Sequence, residues 1–434
     1  MPDVSNYNGI DMGTINKISG QDAPSGDGGG VSESSTGILY FEAGGFNGTV
    51  PDANEYFGDS AVSLYRVQLD TKTNITRMKS NRYHTFMLDD ANKLYSAGYT
   101  NQGYIGRTIS SNGHQFVECL TSVDKFVAHD NGCWAIKTDG TLWWCGNINQ
   151  YANSGDTGQS TTISNYGWKQ YGSDTDWIDI DCWNQYPYTT FAIKGGSGSE
   201  YLYAAGVNTA GKTGLGTTSG TTKPFTRVKS DSSTNWDEPI AKVSSGYDST
   251  LVVTVSGKLF AMGEGNYGAT GQGNNTDRTF PIQVGTDTDW DIPYAKARTC
   301  SYCIKTDGSL YGSRASLFEW GIGPTTADRT YRQIGTDTDY QDLRCIENSA
   351  SFGKKILFAK KNNTWYANWD YTITVPSFTG NTANKSPSTN NGWNTINQLL
   401  DGNDISVGIN DLMLTHKDNN AQAGETLTVA TKAT

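Results

Sequence analysis

The residues able to do chemistry are few and scattered along the chain. The four histidines are His84, His114, His129 and His416, and no two have metal-ligand spacing. Cys300 and Cys303 form a single C-x-x-C pair, without the second pair or nearby histidines that a tetrahedral zinc site needs. With Cys119, Cys133, Cys145, Cys182 and Cys345 they make seven cysteines, an odd number in a large chain. That usage argues against a disulfide framework and predicts reduced, mostly buried thiols.

A carboxylate motif recurs in three places, as GSDTDW from Gly172, GTDTDW from Gly285 and GTDTDY from Gly335. Two carboxylates two residues apart suggest a calcium loop, but further oxygen ligands and a closing bidentate glutamate are missing. The favoured reading is an Asx-type turn that sets an aromatic residue at the start of the next unit. A degenerate copy, SDSSTNW, ends at Trp236. There is no GxSxG, HExxH or GxxxxGK[ST] motif, and no GxGxxG behind a buried parallel strand. The chain is therefore expected to have no catalytic residues, no metal and no cofactor.

The elements that position these residues follow from composition and repetition. The 434 residues carry 33 basic and 44 acidic side chains, a net charge of −11, which argues against binding nucleic acid or an anionic membrane surface. No apolar run reaches the length of a membrane span. The opening MPDVSNYNGIDMG has neither the basic nor the apolar region of a secretory leader, so synthesis in a host cytoplasm is expected. Fifty glycines and 12% aromatic residues suit short strands joined by turns rather than helices. Only the stretch near Trp393 to Leu400 has the pattern of a short helix.

One segment recurs throughout: a polar turn, an apolar-aromatic pair, then a small residue or glycine. It reads GILYFEAG, NKLYSAG, GTLWWCG, EYLYAAG, GKLFAMG, GSLYGSR and NTWYAN. Its anchors are Tyr40, Tyr95, Trp143, Tyr203, Phe260, Tyr311 and Tyr366, spaced 48 to 60 residues apart. Their rings are expected in the core. Upstream of six anchors lie two further apolar segments, such as WIDIDC and TTFAIK, and a fourth follows several, as in FPIQVG. The Thr-Asp-Gly step is expected to be a type I′ hairpin. Four short strands in each of about seven units define an all-β β-propeller, with six blades and an extra strand pair as the alternative.

The glycine-rich stretches GYTNQGYIG, GVNTAGKTGLG and GEGNYGATGQG, together with AIKTDGTLWWCGN, resemble the repeat of the regulator-of-chromosome-condensation family. The units at Tyr95, Trp143, Tyr203 and Phe260 match it well, and those at Tyr40, Tyr311 and Tyr366 match poorly in the glycine loop. His84 takes the position of the family's common histidine. The resemblance covers residues 37–376 and implies a propeller, without fixing an activity.

The ends read differently. Residues 1–36 form an extended arm and Gly/Ser linker, 37–376 the propeller, 377–392 a polar linker and 393–434 a small C-terminal docking segment. The arm's NGIDMGTINKISGQDAP resembles N-terminal segments of tailed-bacteriophage virion proteins, particularly fibre-like ones. Ile10, Met12, Ile15 and Ile18 in the arm, and Trp393, Leu399, Leu400 and Leu412 in the last segment, are apolar residues on pieces too small to bury them. They are the expected partner-binding residues. The chain is thus expected to be a non-enzymatic virion component of tail, baseplate, fibre or capsid surface. Its expected partners are other virion proteins, in multiple copies or as a homo-oligomer, and a host-surface glycan. A carbohydrate-binding propeller, or a glycan hydrolase built on one of the many carboxylate pairs, is the alternative.

Overall fold

The computed structural model describes residues 84–98, 103–107, 113–129, 131–146, 167–183, 189–266, 268–296, 300–314, 329–347, 355–362 and 364–369. It also describes the strands 6–7, 10–11, 17–18, 21–22, 38–45, 67–68, 75–80, 394–395, 409–417 and 426–433. These strands build seven antiparallel four-stranded sheets, consistent with the expected seven blades.

Six of the seven sheets use consecutive strands. Sheet one runs Ile75–Ser80, His84–Asp89, Leu94–Gly98, Gly113–Leu120. Sheet two runs Val123–His129, Gly132–Lys137, Leu142–Gly146, Lys169–Tyr171. Sheet three runs Trp177–Cys182, Thr189–Lys194, Tyr201–Thr209, Ser219–Arg227. Sheet four runs Ile240–Ser245, Ser249–Thr254, Leu259–Gly263, Arg278–Gln283. Sheet five runs Trp290–Tyr294, Cys300–Lys305, Leu310–Arg314, Arg332–Gln333. Sheet six runs Tyr340–Glu347, Lys355–Lys361, Thr364–Trp369, Asn394–Thr395.

The seventh sheet corrects the expected domain boundaries. Its order is Ile409–Lys417, Thr426–Ala433, Ile38–Gly45, Val67–Gln68, so the C-terminal strands supply two members and the N-terminal strands the other two. Thr431 stands opposite Tyr40 in this sheet and opposite Leu412 on its other side. The last segment is therefore part of the ring rather than a separate docking module. The physical reason is that two strands alone are marginal and leave an open edge, which the other end of the chain covers.

First strands neighbour one another in a closed circuit, from sheet one through sheet seven and back to sheet one. Each of the seven has a register shift just after its first paired residue, as between Trp177 and Asp179 or Ile409 and Asp411. A bulge there bends and twists the strand where it enters the sheet. Its presence in Ile409–Lys417 marks that strand as an inner strand like the other six.

The core lies between adjacent sheets. The anchors sit on third strands, as expected, but the fully buried residue is the leucine before the anchor. Leu94, Leu142, Leu202, Leu259 and Leu310 are each 1% exposed or less. Tyr95, Trp143, Tyr203 and Tyr311 are only half-buried, and Phe260 is the one described anchor that is buried. Trp143 donates from Nε1 to the Thr141 hydroxyl at 2.8 Å, with the Lys137 ammonium 4.3 Å from its ring centroid. The large rings of the core are instead Trp134, Trp144, Tyr302, Phe86 and Phe191.

Two outcomes follow. Leu142→Ala should cost about 2–5 kcal/mol in urea unfolding, as for a buried leucine, and Trp143→Ala about 1 kcal/mol or less; the reverse order would place the Trp143 ring in the core. Removing 409–433 should abolish the cooperative melt of the whole chain, because it takes the inner strands from the closing sheet. Removing 1–22 should leave that melt unchanged.

Candidate functional site

Strand alternation gives the ring two faces. Hairpins between second and third strands and the connections between sheets lie on one, the junction face. Loops between first and second strands and between third and fourth strands lie on the other, the loop face.

The junction face absorbs the Asp-Thr-Asp motif. In sheet two the Gly140 N–H donates to Lys137 O at 2.9 Å, and Gly140 has φ +78°. Gly257 and Gly308 repeat this with φ +75° and +79°. Asp139 and Asp307 are not in the positive-φ region, so these hairpins are not the expected type I′ turns. They are type I turns closed by a left-handed glycine, the three-residue hairpin. Each glycine meets the next junction. A Cβ on Gly140, Gly257 or Gly308 would lie 2.1, 2.1 or 2.3 Å from the carbonyl oxygen of Thr175, Thr288 or Thr338. The same glycine carbonyls accept the N–H of Trp177, Trp290 and Tyr340 at 3.0 to 3.1 Å.

The two carboxylates of each motif close on a lysine. Lys194 Nζ lies 2.6 Å from Asp174 and 3.7 Å from Asp176, Lys305 Nζ 2.6 Å from Asp287 and 3.0 Å from Asp289, and Lys361 Nζ 2.5 Å from Asp337 and 3.5 Å from Asp339. Each ammonium also lies over the motif's aromatic ring, at 5.3 Å for Trp177, 4.7 Å for Trp290 and 5.2 Å for Tyr340. Burial disfavours the charged lysine, but the carboxylates outweigh it, and the net shift of all three is upward. The cation of these loops is thus the protein's own. In the degenerate copy Ser233 and Asn235 stand where the motif has its carboxylates, and Thr254 ends the second strand in the lysine's place; the ion pairs of this junction are instead Lys258 with Glu238 at 2.7 Å and Arg227 with Asp237.

The loop face holds the unusual titratable groups. His84 and His129 are 0% and 1% exposed. His84 Nε2 lies 3.5 Å from Gly132 O, and the Asn131 N–H donates to His129 Nδ1 at 3.2 Å. Burial lowers both pKa values to about 3, so both rings are neutral and structural at neutral pH. Among the described residues six cysteines are free thiols, among them Cys300 and Cys303, both fully buried in one strand.

Lys212, in the glycine loop of sheet three, is fully buried. Its ammonium donates to Tyr247 O at 2.7 Å and Gly246 O at 3.4 Å, in the first loop of sheet four. Burial lowers its pKa to about 7, with Asp248 favouring the charge and Lys296 opposing it. Asp181, at the end of the first strand of sheet three, accepts from the Ser245 N–H at 2.7 Å and from Lys296 Nζ at 2.6 Å. Lys296 belongs to sheet five, so this pair spans sheet four. Further cross-sheet pairs, Lys125 with Asp179 at 3.3 Å and Lys242 with Asp291, lie along the first strands. Among the described residues no group of three or more His, Cys, Asp or Glu side chains is arranged to hold a metal ion.

Of the expected partner-binding residues, Ile10 and Ile18 lie in two short hairpins, opposite Tyr7 and Gln21. Leu412 lies in the closing sheet. Met12, Ile15, Trp393, Leu399 and Leu400 fall outside the described residues. Sequence reasoning passed over Lys212, Asp181 and Lys296. The available signal for Lys212 was its place in the second position of a Gly-x-x-Gly loop where the other copies carry Tyr104 and Ala269.

A ring of four-stranded sheets joined through Gly-x-x-Gly loops and Asp-Gly hairpins defines a β-propeller, and its repeat is similar to that of the regulator-of-chromosome-condensation family. In agreement, the sequence model of the Regulator of chromosome condensation (RCC1) repeat matches residues 240–269. The fold is similar to that of human WBSCR16, with TM-score 0.63 and 12% identity over 92% of this chain and 99% of that one. It is also similar to Prp20p of Saccharomyces cerevisiae, with TM-score 0.61 and 12% identity over 93% of both chains. The yeast protein bound to Kap60 aligns with TM-score 0.56 and 12% identity over 96% of this chain and 97% of that one.

Two predictions belong to these groups. Unfolded histidines bind protons below about pH 6.5 whereas the buried pair resist to about 3, so their contribution is full above pH 6.5 and is lost as pH falls toward 3. The melting temperature should fall between pH 6.5 and 5, and fall less in His129→Gln. Lys305→Met should cost about 1 kcal/mol, the clasp's carboxylates being half exposed. The raised lysine pKa makes that contribution present below about pH 10.4 and lost as pH rises through the folded value. Melting at pH 9 to 11 should therefore fall more steeply in the parent than in the variant.

Proposed function

We propose that the chain is a non-catalytic interaction protein whose propeller holds macromolecular partners. The observation that carries this reading is the engagement of its perturbed groups. Lys212 bridges two sheets through backbone carbonyls, His84 and His129 are held neutral among strands, and the acid pairs of the junctions enclose lysines. Groups so engaged hold the ring together and are not positioned to act on a substrate. The similar yeast structures support protein as the partner class: one is described with its binding to Gsp1p and histones, the other in complex with Kap60. A net charge of −11 favours protein over nucleic acid.

The finer reading is a virion component of a tailed phage, attached through its N-terminal arm. Its support is the arm's resemblance to virion proteins and its two hairpins, Asn6–Tyr7 with Ile10–Asp11 and Lys17–Ile18 with Gln21–Asp22. Isolated hairpins of this size gain stability only against a partner surface. The C-terminal strands are part of the ring, so the attachment proposed here no longer includes them.

Mass spectrometry of purified particles is expected to recover the chain in fixed stoichiometry. A form lacking 1–22 should remain folded and be missing from the particles. Absence of the full chain from particles would remove the virion reading, and normal incorporation of the shortened form would move the attachment to the propeller.

A further inference from the structure

One corner of the loop face, between sheets three, four and five, gathers side chains that the other sheets do not repeat. Six residues beyond the first paired residue of the first strand stand His129 in sheet two, Trp183 in sheet three, Gly246 in sheet four and Lys296 in sheet five. The loop of sheet four brings Tyr247 against Trp183, with ring centroids 6.1 Å apart and planes at 81°. Both rings are half-buried. Beside them lies the Asp181–Lys296 pair, whose side chains keep 21% and 25% exposure. Lys296 Nζ also donates to Cys182 O at 2.6 Å, which ties it to the residue before Trp183.

The corner is held rigidly from below. Lys212 fixes the carbonyls of Gly246 and Tyr247, Asp181 fixes the Ser245 N–H, and the Thr209 hydroxyl lies 3.3 Å from Asp248 Oδ1. The loop that carries Tyr247 is thus set before any ligand arrives, which lowers the ordering cost of binding. Among the described residues the Trp183 indole N–H meets no acceptor, as is also so for Trp134, Trp168, Trp177 and Trp290.

We propose that this corner binds a neutral saccharide chain. Two aromatic rings at nearly a right angle offer one face to stack against the C–H side of a sugar and a second to wall it in. The partly exposed carboxylate and ammonium offer an acceptor and a donor side by side, and a sugar hydroxyl can use both. The site's own charges are balanced, so a neutral ligand leaves the Asp181–Lys296 pair intact where a charged one would compete with it. Trp183 and Tyr247 are contact residues, and Lys212 is a positioning residue. The site is independent of whether the chain belongs to a particle, because it uses the loop face alone.

Calorimetric titration of the full chain with soluble neutral hexasaccharides tests this, using β-1,4-glucan, α-1,4-glucan, β-1,4-linked N-acetylglucosamine and α-1,6-mannan. At least one should bind. Trp183→Ala should weaken it tenfold or more, with an unchanged melting temperature, and Tyr247→Ala provides the same reading if the first variant unfolds. Trp143→Ala, a half-buried tryptophan outside the corner, should bind as the parent does. Lys212→Met should weaken binding several-fold and flatten its pH dependence between pH 6 and 8, which a loss of packing alone would not do. The proposal is overturned if none of the four binds, or if Trp143→Ala and Trp183→Ala weaken binding equally. Either result leaves the incorporation experiment on particles unaffected.

Discussion

The ring depends on a close approach between backbones at the junctions. The hairpin glycine of one sheet lies so near the threonine carbonyl of the next that a methyl group would sit about 2 Å from the oxygen. Glycine is required twice there, for that contact and for a φ near +78°. Once the hairpin is seated, the glycine carbonyl receives the N–H of the residue that opens the next first strand. The junction therefore sets both the distance between sheets and the register at which the next one starts.

The clasped lysine completes the same joint. Turning the chain through an Asp-Thr-Asp step places two carboxylates side by side, and like charges at that spacing repel. An ammonium from the second strand of the same sheet neutralises part of that charge and adds a contact with the ring that starts the first strand. Where the turn has lost its carboxylates the lysine is absent also, and Trp236 packs on Phe260 with centroids 4.9 Å apart. The aromatic contact is thus common to these joints, whereas the charged contacts differ: the degenerate junction pairs Lys258 with Glu238 and Arg227 with Asp237 instead of clasping a lysine between two aspartates.

Much of this was legible in the sequence because repetition averages over local ambiguity. Anchor spacing located the third strand in every sheet, and the Asp-Gly steps located the hairpins. Burial within the third strand was read one residue out of place. Aromatic size drew attention to Trp143, yet the pleat turns Leu142 inward and leaves Trp143 half-covered beside Lys137. The closing sheet was illegible for another reason. Its strands lie at opposite ends of the chain, and no local pattern says that Thr431 will stand beside Tyr40. The lysine clasp likewise depends on residues about 20 positions apart, such as Lys194 and Asp174, joined only when the sheet forms. At the loop face, Lys212 and Lys296 meet their partners across sheets, so their significance arises only from the closed ring.

Closure also gives the molecule a direction. Third strands start on the junction face, and Ile38–Gly45 is the third strand of the closing sheet. Ile38 therefore stands at the junction face, on the side of the ring opposite the Trp183–Tyr247 corner. The junction face is committed to repeated hairpins, turns and clasps, so its sequence is constrained by the need to join sheets. On the other face the ties between sheets differ from one sheet to the next, as at Lys212 and Lys296.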